Sequence, residues 1–269
     1  EGLVMDTSKY LTEIGELDQE AATIRVQPGV VLDRLNQWLE PHGLFFPVDV
    51  ATASRATLGG MAANNSAGAR SIRYGMMVDN VLRVSGSLAD GTPVSFGLEV
   101  PPAGVESELA STLATLRRRE DAELQLRIPN VMRRVAGYNL DRISPNGAEI
   151  VRLLVGSEGT LAFFTELELK LAPIPSNRVL GVCAFSDLES ALDAVSPIME
   201  LEPSAVELVD GTLLDLARKI PTLSSAVGQF ARGDPRALLI VEFSGPHGDA
   251  VSDALRRLEE LMGGLGHPN

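Results

Sequence analysis

The sequence is poor in the residues that build disulfides, iron–sulfur clusters and zinc sites. Its 269 residues include one cysteine, Cys183, and three histidines, His42, His247 and His267. A single cysteine can form neither an internal disulfide nor a complete iron–sulfur cluster, and the histidines lack the spacing of metal ligands. We therefore predict no metal site, surface positions for the three histidines, and a buried structural thiol at Cys183, whose neighbours are apolar and strand-like.

Positive charge and long apolar runs are also scarce. The formal net charge is −13, whereas nucleic-acid-binding proteins carry basic surfaces, so a nucleic acid is disfavoured as a partner. No apolar run reaches the roughly 18 residues of a membrane-spanning helix, and residues 1–6 resemble the interior of a domain instead of a secretory signal. The sequence therefore predicts a globular fragment of a longer protein without a transmembrane segment.

The most informative stretch is residues 47–75, which is dense in glycine, alanine, serine and asparagine. A structureless loop of this length is uncommon in a compact domain and is usually functional. Successive amides in glycine-rich turns form concavities that bind anions. These features favour a site for a flat, phosphate-bearing ligand over an ordinary surface loop. The glycines and short polar side chains that would form it are Thr57, Gly59, Gly60, Asn64, Asn65, Ser66, Gly68 and Gly75.

Two separate motifs carry a family resemblance. Residues 56–70 (ATLGGMAANNSAGAR), then Arg73-Tyr74-Gly75 and residues 81–91, resemble the FAD-binding domain of FAD-linked oxidases of the vanillyl-alcohol-oxidase type. About 95 residues later, residues 155–161 (VGSEGTL) resemble the second flavin-contacting signature of that family. Residues 205–210 (AVELVD) resemble the start of its cap domain. Motifs in the right order at separate places make the resemblance specific, and it spans nearly the whole chain.

The resemblance implies an α+β fold. Residues 1–175 would be an N-terminally truncated FAD-binding domain of the VAO/PCMH type, and residues 176–269 part of a ferredoxin-like α+β cap domain, with the boundary at Pro173-Ile174-Pro175-Ser176. Two features of the family are missing. The first pyrophosphate-binding loop would precede residues 2–9, and the histidine-rich cluster of the cap has no counterpart.

The resemblance also implies a function: an FAD-dependent enzyme that oxidises a D-2-hydroxy acid such as D-lactate, glycolate or D-2-hydroxyglutarate by hydride transfer to flavin N5. An iron–sulfur domain or protein would be the electron acceptor. The protein would be cytoplasmic, with peripheral attachment to the inner face of the membrane left open. We expect residues 1–269 alone to be inactive, and whether they retain FAD is open.

The residues that the resemblance places at FAD are Pro47, Asp49, Thr57, Gly59, Gly60, Asn64, Ser66, Gly68, Glu158 and Gly159. For Glu158 a structural or flavin-orienting role is favoured over acid–base chemistry. A substrate carboxylate would pair with an arginine, because the guanidinium fork matches a carboxylate; the candidates are Arg70, Arg73 and Arg134, and no catalytic residue is assigned. The alternatives are a non-enzymatic α+β scaffold and, disfavoured because no Gly-x-Gly-x-x-Gly opens a helix, an NAD-binding oxidoreductase.

Periodicity predicts the elements of the first half of the chain. We expect strands at residues 23–27, 150–155 and 161–171, the last with its odd-numbered residues facing the core, and a hairpin around Asp90-Gly91. For residues 127–149 an ordinary surface loop is favoured over the alternative that the resemblance implies, in which Gly137-Tyr138-Asn139-Leu140-Asp141 lies near the active-site side of the flavin domain. Residues 117–120 are interpreted as a solvated helix end. Two helices are predicted from apolar spacing: Leu32, Leu35 and Leu39 in the first, and, after Pro101-Pro102, Val105, Leu109, Leu113 and Leu116 in the second.

The second half predicts strands at residues 179–185, 205–209 and 237–243, and two similarly striped helices packed on one face of an antiparallel sheet. A short helix would carry Leu213, Leu216 and Ala217 and be capped by Asp210. The two stripes, both interpreted as core, are Leu188, Ala191, Leu192, Val195, Ile198 and Met199, and then Val251, Ala254, Leu255, Leu258, Leu261 and Met262.

Overall fold

The computed structural model describes residues 4–98, 103–231 and 233–267. The chain falls into two compact units that separate between Ile174 and Pro175. Two of the sequence-based predictions involve residues outside this description. These are residues 1–3, part of the opening that resembles the interior of a domain, and Pro101-Pro102, which precede a predicted helix. Among the described residues, no helix combines the length and the apolar character needed to cross a bilayer.

The first unit is built on an antiparallel sheet with the strand order β1-β2-β6-β4-β5. A small two-stranded sheet, β3 with β7, lies beside it in the same unit. The strands are β1 (Ile14–Asp18), β2 (Thr23–Val26), β3 (Leu44–Phe45), β4 (Val81–Ser87), β5 (Pro93–Gly97), β6 (Phe163–Lys170) and β7 (Ala172–Pro173). The predicted strand at residues 23–27 and the hairpin around Asp90-Gly91 are thus confirmed.

Seven helices among the described residues pack around this sheet. The first confirms its prediction: its three leucines are buried, and the chain turns away at Gly43, whose φ of 69° suits a residue without a side chain. Two others break the predicted loop at residues 47–75, which is therefore not structureless. The helices are α1 (Leu32–Leu39), α2 (Leu58–Ala63), α3 (Ser71–Tyr74), α4 (Met77–Asn80), α5 (Val105–Arg119), α6 (Asp121–Arg127) and α7 (Val151–Leu154).

The prediction of a buried strand at residues 150–155 is wrong. The apolar run forms the short helix α7, and Val151 and Leu154 are buried in the core of the unit. A short apolar run bounded by turns fits a buried strand and a buried helix equally well, because a fully buried element shows no periodicity. Here Glu149, with a φ of 66°, turns the chain into the helix.

Strand β6 is confirmed, but the predicted alternation of core-facing and outward-facing side chains holds for only half of the strand. Leu167 and Leu169 face the core as expected, whereas Phe164 is buried and Thr165 is exposed. The pairing with β4 explains the change: Ser85 pairs with Glu166 and the next residue, Gly86, pairs with Phe164. The extra residue in β6 is a β-bulge, which reverses the alternation of side chains.

The predicted core side of helix α5 is only partly correct: Leu109 and Leu113 pack against the core, but they are not its most buried residues. Its buried residues are Ala110 and Ala114, and Val105 is exposed. Small residues allow a helix to approach a sheet closely, so the alanine face packs inward and the leucines lie at its border. The charged end at residues 117–120 is not uniformly solvated either, since the side chain of Arg117 is only 12% exposed.

The second unit is a three-stranded antiparallel sheet, β8 (Asn177–Phe185), β9 (Ala205–Asp210) and β10 (Ala237–Gly245), with β10 in the centre. The helices α8 (Leu188–Met199) and α11 (Gly248–Gly264) cover the face that carries Leu239, as the sequence predicts. The helices α9 (Gly211–Lys219) and α10 (Pro221–Phe230) cover the opposite face at Leu238. The predicted one-sided packing is therefore corrected to helices on both faces, and α10 was not predicted.

Several apolar positions of the second unit point outward. In α8 the buried residues are Ala191, Ala194 and Ile198, whereas Leu188 and Leu192 are exposed. In α9 the buried leucine is Leu214, and Leu213 and Leu216 are exposed. The predicted cap of α9 is confirmed, because Oδ1 of Asp210 accepts the backbone N–H of Leu213 at 2.8 Å.

The predicted burial of Cys183 and the predicted surface positions of two of the three histidines are confirmed. Cys183 is fully buried, and His42 and His247 are exposed. His267 is half-buried, with its ring centroid 4.9 Å from that of Phe185. The described residues contain no group of three or more metal-ligating side chains that could hold an ion.

Candidate functional site

The two motifs of the sequence analysis meet in the first unit. The backbone N–H of Gly156 donates to the carbonyl of Ala62 at 2.8 Å, and that of Glu158 donates to the carbonyl of Ala63 at 2.9 Å. The last carbonyls of a helix have no intrahelical partner. The turn after α7 supplies a hydrogen bond to Ala63 and a second one to Ala62, whose carbonyl also accepts the N–H of Asn65 at 3.2 Å. The two segments, about 95 residues apart in sequence, form one continuous surface.

The two adjacent glycines of α2 occupy their positions for different structural reasons. A Cβ at Gly59 would lie 2.4 Å from the Cβ of Pro28, so this position admits no side chain. Gly60 is exposed, and a Cβ there would meet only the hydroxyl of Thr57, at 3.1 Å. That hydroxyl caps α2 by accepting the N–H of Gly60 at 3.3 Å. Gly59 therefore serves packing, whereas Gly60 keeps the surface open.

A cavity of about 370 Å³ opens at this surface. Five of the ten residues expected at FAD line it: Thr57, Gly59, Gly60, Glu158 and Gly159. The remaining wall comes from the N-terminal segment, from the chain before α1 and from the start of β6, namely Met5, Asp6, Thr7, Pro28, Ala63, Ala162, Phe163 and Phe164. Exposed backbone beside aromatic and carboxylate side chains suits a flat ligand with polar edges.

Carboxylates set the charge of this cavity. Hydrogen bonds from the side chain and the backbone N–H of Ser8 lower the pKa of Asp6, which is therefore ionised at neutral pH. The carboxylate of Glu158 makes no hydrogen bond within the described residues. Two acidic side chains accept hydroxyl or amino hydrogens of a ligand, but they repel phosphate. The cavity is thus better suited to a ribose or a ring system than to a diphosphate.

The other residues expected at FAD lie on the remaining part of the 47–75 segment and do not line this cavity. Asn64 is exposed, and its Oδ1 accepts the hydroxyl of Ser66 at 2.6 Å. A Cβ at Gly68 would lie 2.0 Å from the carbonyl oxygen of Asp49, so this glycine allows two chain segments to touch. Pro47 is buried. Five of the ten predicted residues therefore lie outside the cavity.

Sequence reasoning gave no specific role to two buried asparagines that connect the site. Asn65 is 1% exposed with a φ of 51°; its Oδ1 accepts the N–H of Val78 at 3.0 Å, and its Nδ2 donates to the carbonyl of Arg134 at 3.4 Å. Asn139 is 2% exposed and donates to the carbonyl of Val155 at 2.8 Å. Asparagine tolerates a positive φ better than most residues with side chains, which explains the residue type at Asn65.

The segment around Asn139 therefore packs against the turn that follows α7, which agrees better with the alternative position near the site than with an ordinary surface loop. A Cβ at Gly156 would lie 3.2 Å from the Cβ of Asn65 and 3.3 Å from Nδ2 of Asn139, so the glycine lies between the two asparagines. The hydroxyls of Tyr138 and Thr160 are 2.7 Å apart. These contacts fix the segment against the turn that carries Glu158.

The three candidate arginines are held differently. Arg70 forms an ion pair with Asp49 at 3.4 Å, and Arg134 with Asp141 at 2.5 Å. The guanidinium of Arg73 lies 5.5 Å from the ring centroid of Tyr74, and this residue is exposed. Arg134 lines a second cavity that shares no lining residue with the first. The structure therefore does not bring the three arginines together.

Two family models and a solved structure match this chain. Residues 1–97 match the family model of the FAD binding domain, and residues 174–268 match that of the C-terminal domain of FAD linked oxidases. A solved structure of alkyldihydroxyacetonephosphate synthase is similar in fold, with a TM-score of 0.68 and 19% sequence identity, over 97% of this chain and 41% of that one. The expected α+β fold class is thereby confirmed.

Curated relatives match nearly the whole chain. It is 31% identical over 280 residues to D-2-hydroxyglutarate dehydrogenase of Escherichia coli K12, covering 97% of this chain and 28% of that protein. It is 31% identical over 271 residues to glycolate oxidase subunit GlcD of Bacillus subtilis 168, covering 96% and 49%. A probable mitochondrial D-lactate dehydrogenase of Danio rerio is 31% identical over 229 residues, covering 84% and 38%. The chain thus spans less than half the length of each of these relatives, and it matches FAD-linked oxidases over two separate segments, residues 1–97 and 174–268.

Proposed function

We propose that the protein is an FAD-dependent oxidoreductase that oxidises a D-2-hydroxy acid of the D-lactate, glycolate or D-2-hydroxyglutarate type. The observation that carries this proposal is the hydrogen-bonded junction of the two family motifs, which creates one open surface from α2 and the turn at Glu158. Bound FAD would accept the hydride from the α-carbon at its N5 atom. The polypeptide supplies binding, orientation and electrostatics for this chemistry.

In this proposal residues 1–175 form the FAD-binding domain and residues 176–269 belong to the cap domain. Thr57, Gly59, Gly60, Glu158 and Gly159 contact the ribose or ring portions of FAD in the cavity, where the carboxylates favour hydroxyl and amino groups over phosphate. The diphosphate then lies outside the acidic cavity, along the outer part of the 47–75 segment. The residues proposed there are Pro47, Asp49, Asn64, Ser66 and Gly68.

For the substrate carboxylate the candidates are Arg70, Arg73 and Arg134, without a preference among them. A guanidinium binds a carboxylate through two parallel hydrogen bonds, which orients the α-carbon as well as holding the acid. The electron acceptor would be an iron–sulfur domain or protein, and the enzyme would work in the cytoplasm or at the inner face of the membrane.

The visible absorption spectrum tests the proposal. The natural full-length protein and residues 1–269 are each incubated with FAD, desalted and compared. We expect flavin bands in the full-length protein, together with reduction of a dye acceptor by a D-2-hydroxy acid. A full-length protein that stays colourless would overturn the proposal and favour the non-enzymatic scaffold. Flavin bands without turnover of any of the three substrates would support FAD binding but refute the assignment of a hydroxy acid as the substrate.

A further inference from the structure

A second cavity, of about 480 Å³, lies between the end of α5, helix α6 and residues 128–142. Three arginines line it, Arg117, Arg134 and Arg142, and a single carboxylate, that of Asp141. Residues 117–142 contain seven arginines and four acidic residues, in a chain whose net charge is −13. Positive charge is therefore concentrated around this cavity.

Two of the three arginine side chains are largely removed from solvent. The side chains of Arg117 and Arg134 are 12% and 16% exposed, and that of Arg142 is 40% exposed. Within the described residues each forms one ion pair through a single nitrogen, with Asp121, Asp141 and Asp79 respectively. A guanidinium has five N–H donors, so the ion pairs leave donors available to a ligand in the cavity.

The rest of the wall is apolar or neutral. Leu124, Ile128 and Val131 contribute aliphatic surface, and Gln125 and Asn130 contribute amides. Guanidinium groups beside aliphatic side chains match an organic anion better than an inorganic one, because the hydrocarbon part of the ligand also leaves water. Three guanidiniums in one cavity provide enough donors for a ligand with two carboxylates, each of which can accept a bidentate pair.

We propose that this cavity binds a small aliphatic dicarboxylate, at a site separate from the flavin cavity. The carboxylate of Asp141, 2.5 Å from Arg134, acts as an internal competitor that the ligand displaces from part of the guanidinium. The inference does not depend on the proposed oxidation, because ligand binding is measured directly and without FAD.

Isothermal titration calorimetry of the purified protein with glutarate tests the proposal, with the uncharged diamide glutaramide as the control ligand. Arg134→Gln and Arg142→Gln should each weaken glutarate binding by about tenfold or more, as expected for a lost charge-assisted hydrogen bond. Asp141→Asn should tighten it, because the substitution removes the competing charge. Arg127→Gln is the matched control: its side chain is 76% exposed, pairs with Glu123 and does not line the cavity, so binding should not change.

The arginine variants should weaken glutarate binding, whereas the aspartate variant should strengthen it. Because the two expected changes in affinity are opposite, the test remains decisive if one variant folds poorly, which circular dichroism would show. No saturable binding of glutarate below about 10 mM, near the weak limit of specific recognition, would overturn the proposal. Equal weakening by Arg127→Gln, or equal binding of glutaramide, would also overturn it, because neither result depends on the cavity charges.

Discussion

The backbone N–H of Glu158 donates a 2.9 Å hydrogen bond to the carbonyl of Ala63, the last residue of α2. With the matching bond from Gly156 to Ala62, it fixes the turn after α7 to the end of that helix. The cavity beside this junction is lined by residues of both segments. Predictions about the site can therefore separate residues that build this junction from residues that face the ligand.

Gly60→Val should block flavin uptake without unfolding the protein. The valine side chain would project into the cavity, whereas within the protein its Cβ meets only the hydroxyl of Thr57 at 3.1 Å. Valine destabilises a helix less than glycine does, so the melting temperature should not fall by more than a few degrees. Absorbance of bound flavin after desalting and a thermal melt measure the two effects.

The matched control for this variant is Gly228→Val, a helical glycine of α10 with no atom within 4 Å of its would-be Cβ. It should leave flavin content unchanged. Gly59→Ala should instead reduce stability, because its Cβ would lie 2.4 Å from that of Pro28. Stoichiometric flavin in Gly60→Val would refute the assignment of the cavity.

Asn65→Ala should lower the free energy of unfolding by about 2 kcal/mol or more. The substitution leaves the N–H of Val78 without its buried acceptor, at about 1–3 kcal/mol, and places alanine at a φ of 51°, at about 1–2 kcal/mol. Urea denaturation measures the change. Asn65→Gly should lose less, because glycine adopts a positive φ without strain.

The neighbouring residue supplies the control. Asn64 is exposed, so Asn64→Ala should leave the urea midpoint nearly unchanged and act, if at all, on flavin affinity. Equal destabilisation by both variants would contradict the assignment of Asn65 to the buried junction.

Glu158→Gln distinguishes ligand binding from acid–base chemistry at this position. The hydrogen bond that holds the turn comes from the backbone, so the fold should survive the loss of charge. If the carboxylate orients FAD, the Kd for FAD should rise several-fold while kcat changes little. A fall in kcat of about a hundredfold or more with unchanged flavin affinity would instead indicate a general acid or base.

Asp187→Ala should destabilise the second unit in a pH-dependent way. Oδ1 of Asp187 caps α8 by accepting the N–H of Ser190 at 2.8 Å, and this hydrogen bond, with those from the hydroxyls of Ser190 and Ser186, lowers the pKa of Asp187. A group whose pKa is lower in the folded state adds stability above its unfolded pKa and loses it as the pH falls through the folded value. The difference in melting temperature between variant and wild type should therefore be full at neutral pH and shrink below about pH 4.

Asp193→Ala, at an exposed position of the same helix, is the control for this effect and should show a smaller change at pH 7. A difference between Asp187→Ala and wild type that stays constant from pH 7 to about pH 3 would contradict the charge-based cap.

The sequence predicted those elements whose pattern is local. Period-2 alternation located β6, and a turn dipeptide located the hairpin of β4 and β5. The phase at Thr165 could not be predicted, because the bulge arises from pairing with β4. For the same reason the outward leucines of α8, Leu188 and Leu192, could not be distinguished from core: the side that a helix buries depends on what it packs against.

The candidate site was likewise predictable only where its pattern is local. The glycines of α2 and the turn at Glu158 were visible as motifs, and the structure joins them. Their junction depends on Asn65 and Asn139, whose role comes from burial between segments that are distant in sequence. A polar residue gives no sign of such burial in its own neighbourhood, so the sequence could show which segments line the cavity but not how they are held together.

The position of β6 in the sheet has a consequence for biosynthesis. This strand enters between β2 and β4, which precede it by more than seventy residues, and the turn at Glu158 comes just before it. During translation the early strands must wait without their central neighbour until that segment leaves the ribosome. Long-range pairings of this kind form slowly, so cofactor loading should follow chain completion, and the unpaired edges of β2 and β4 are where a chaperone would be needed.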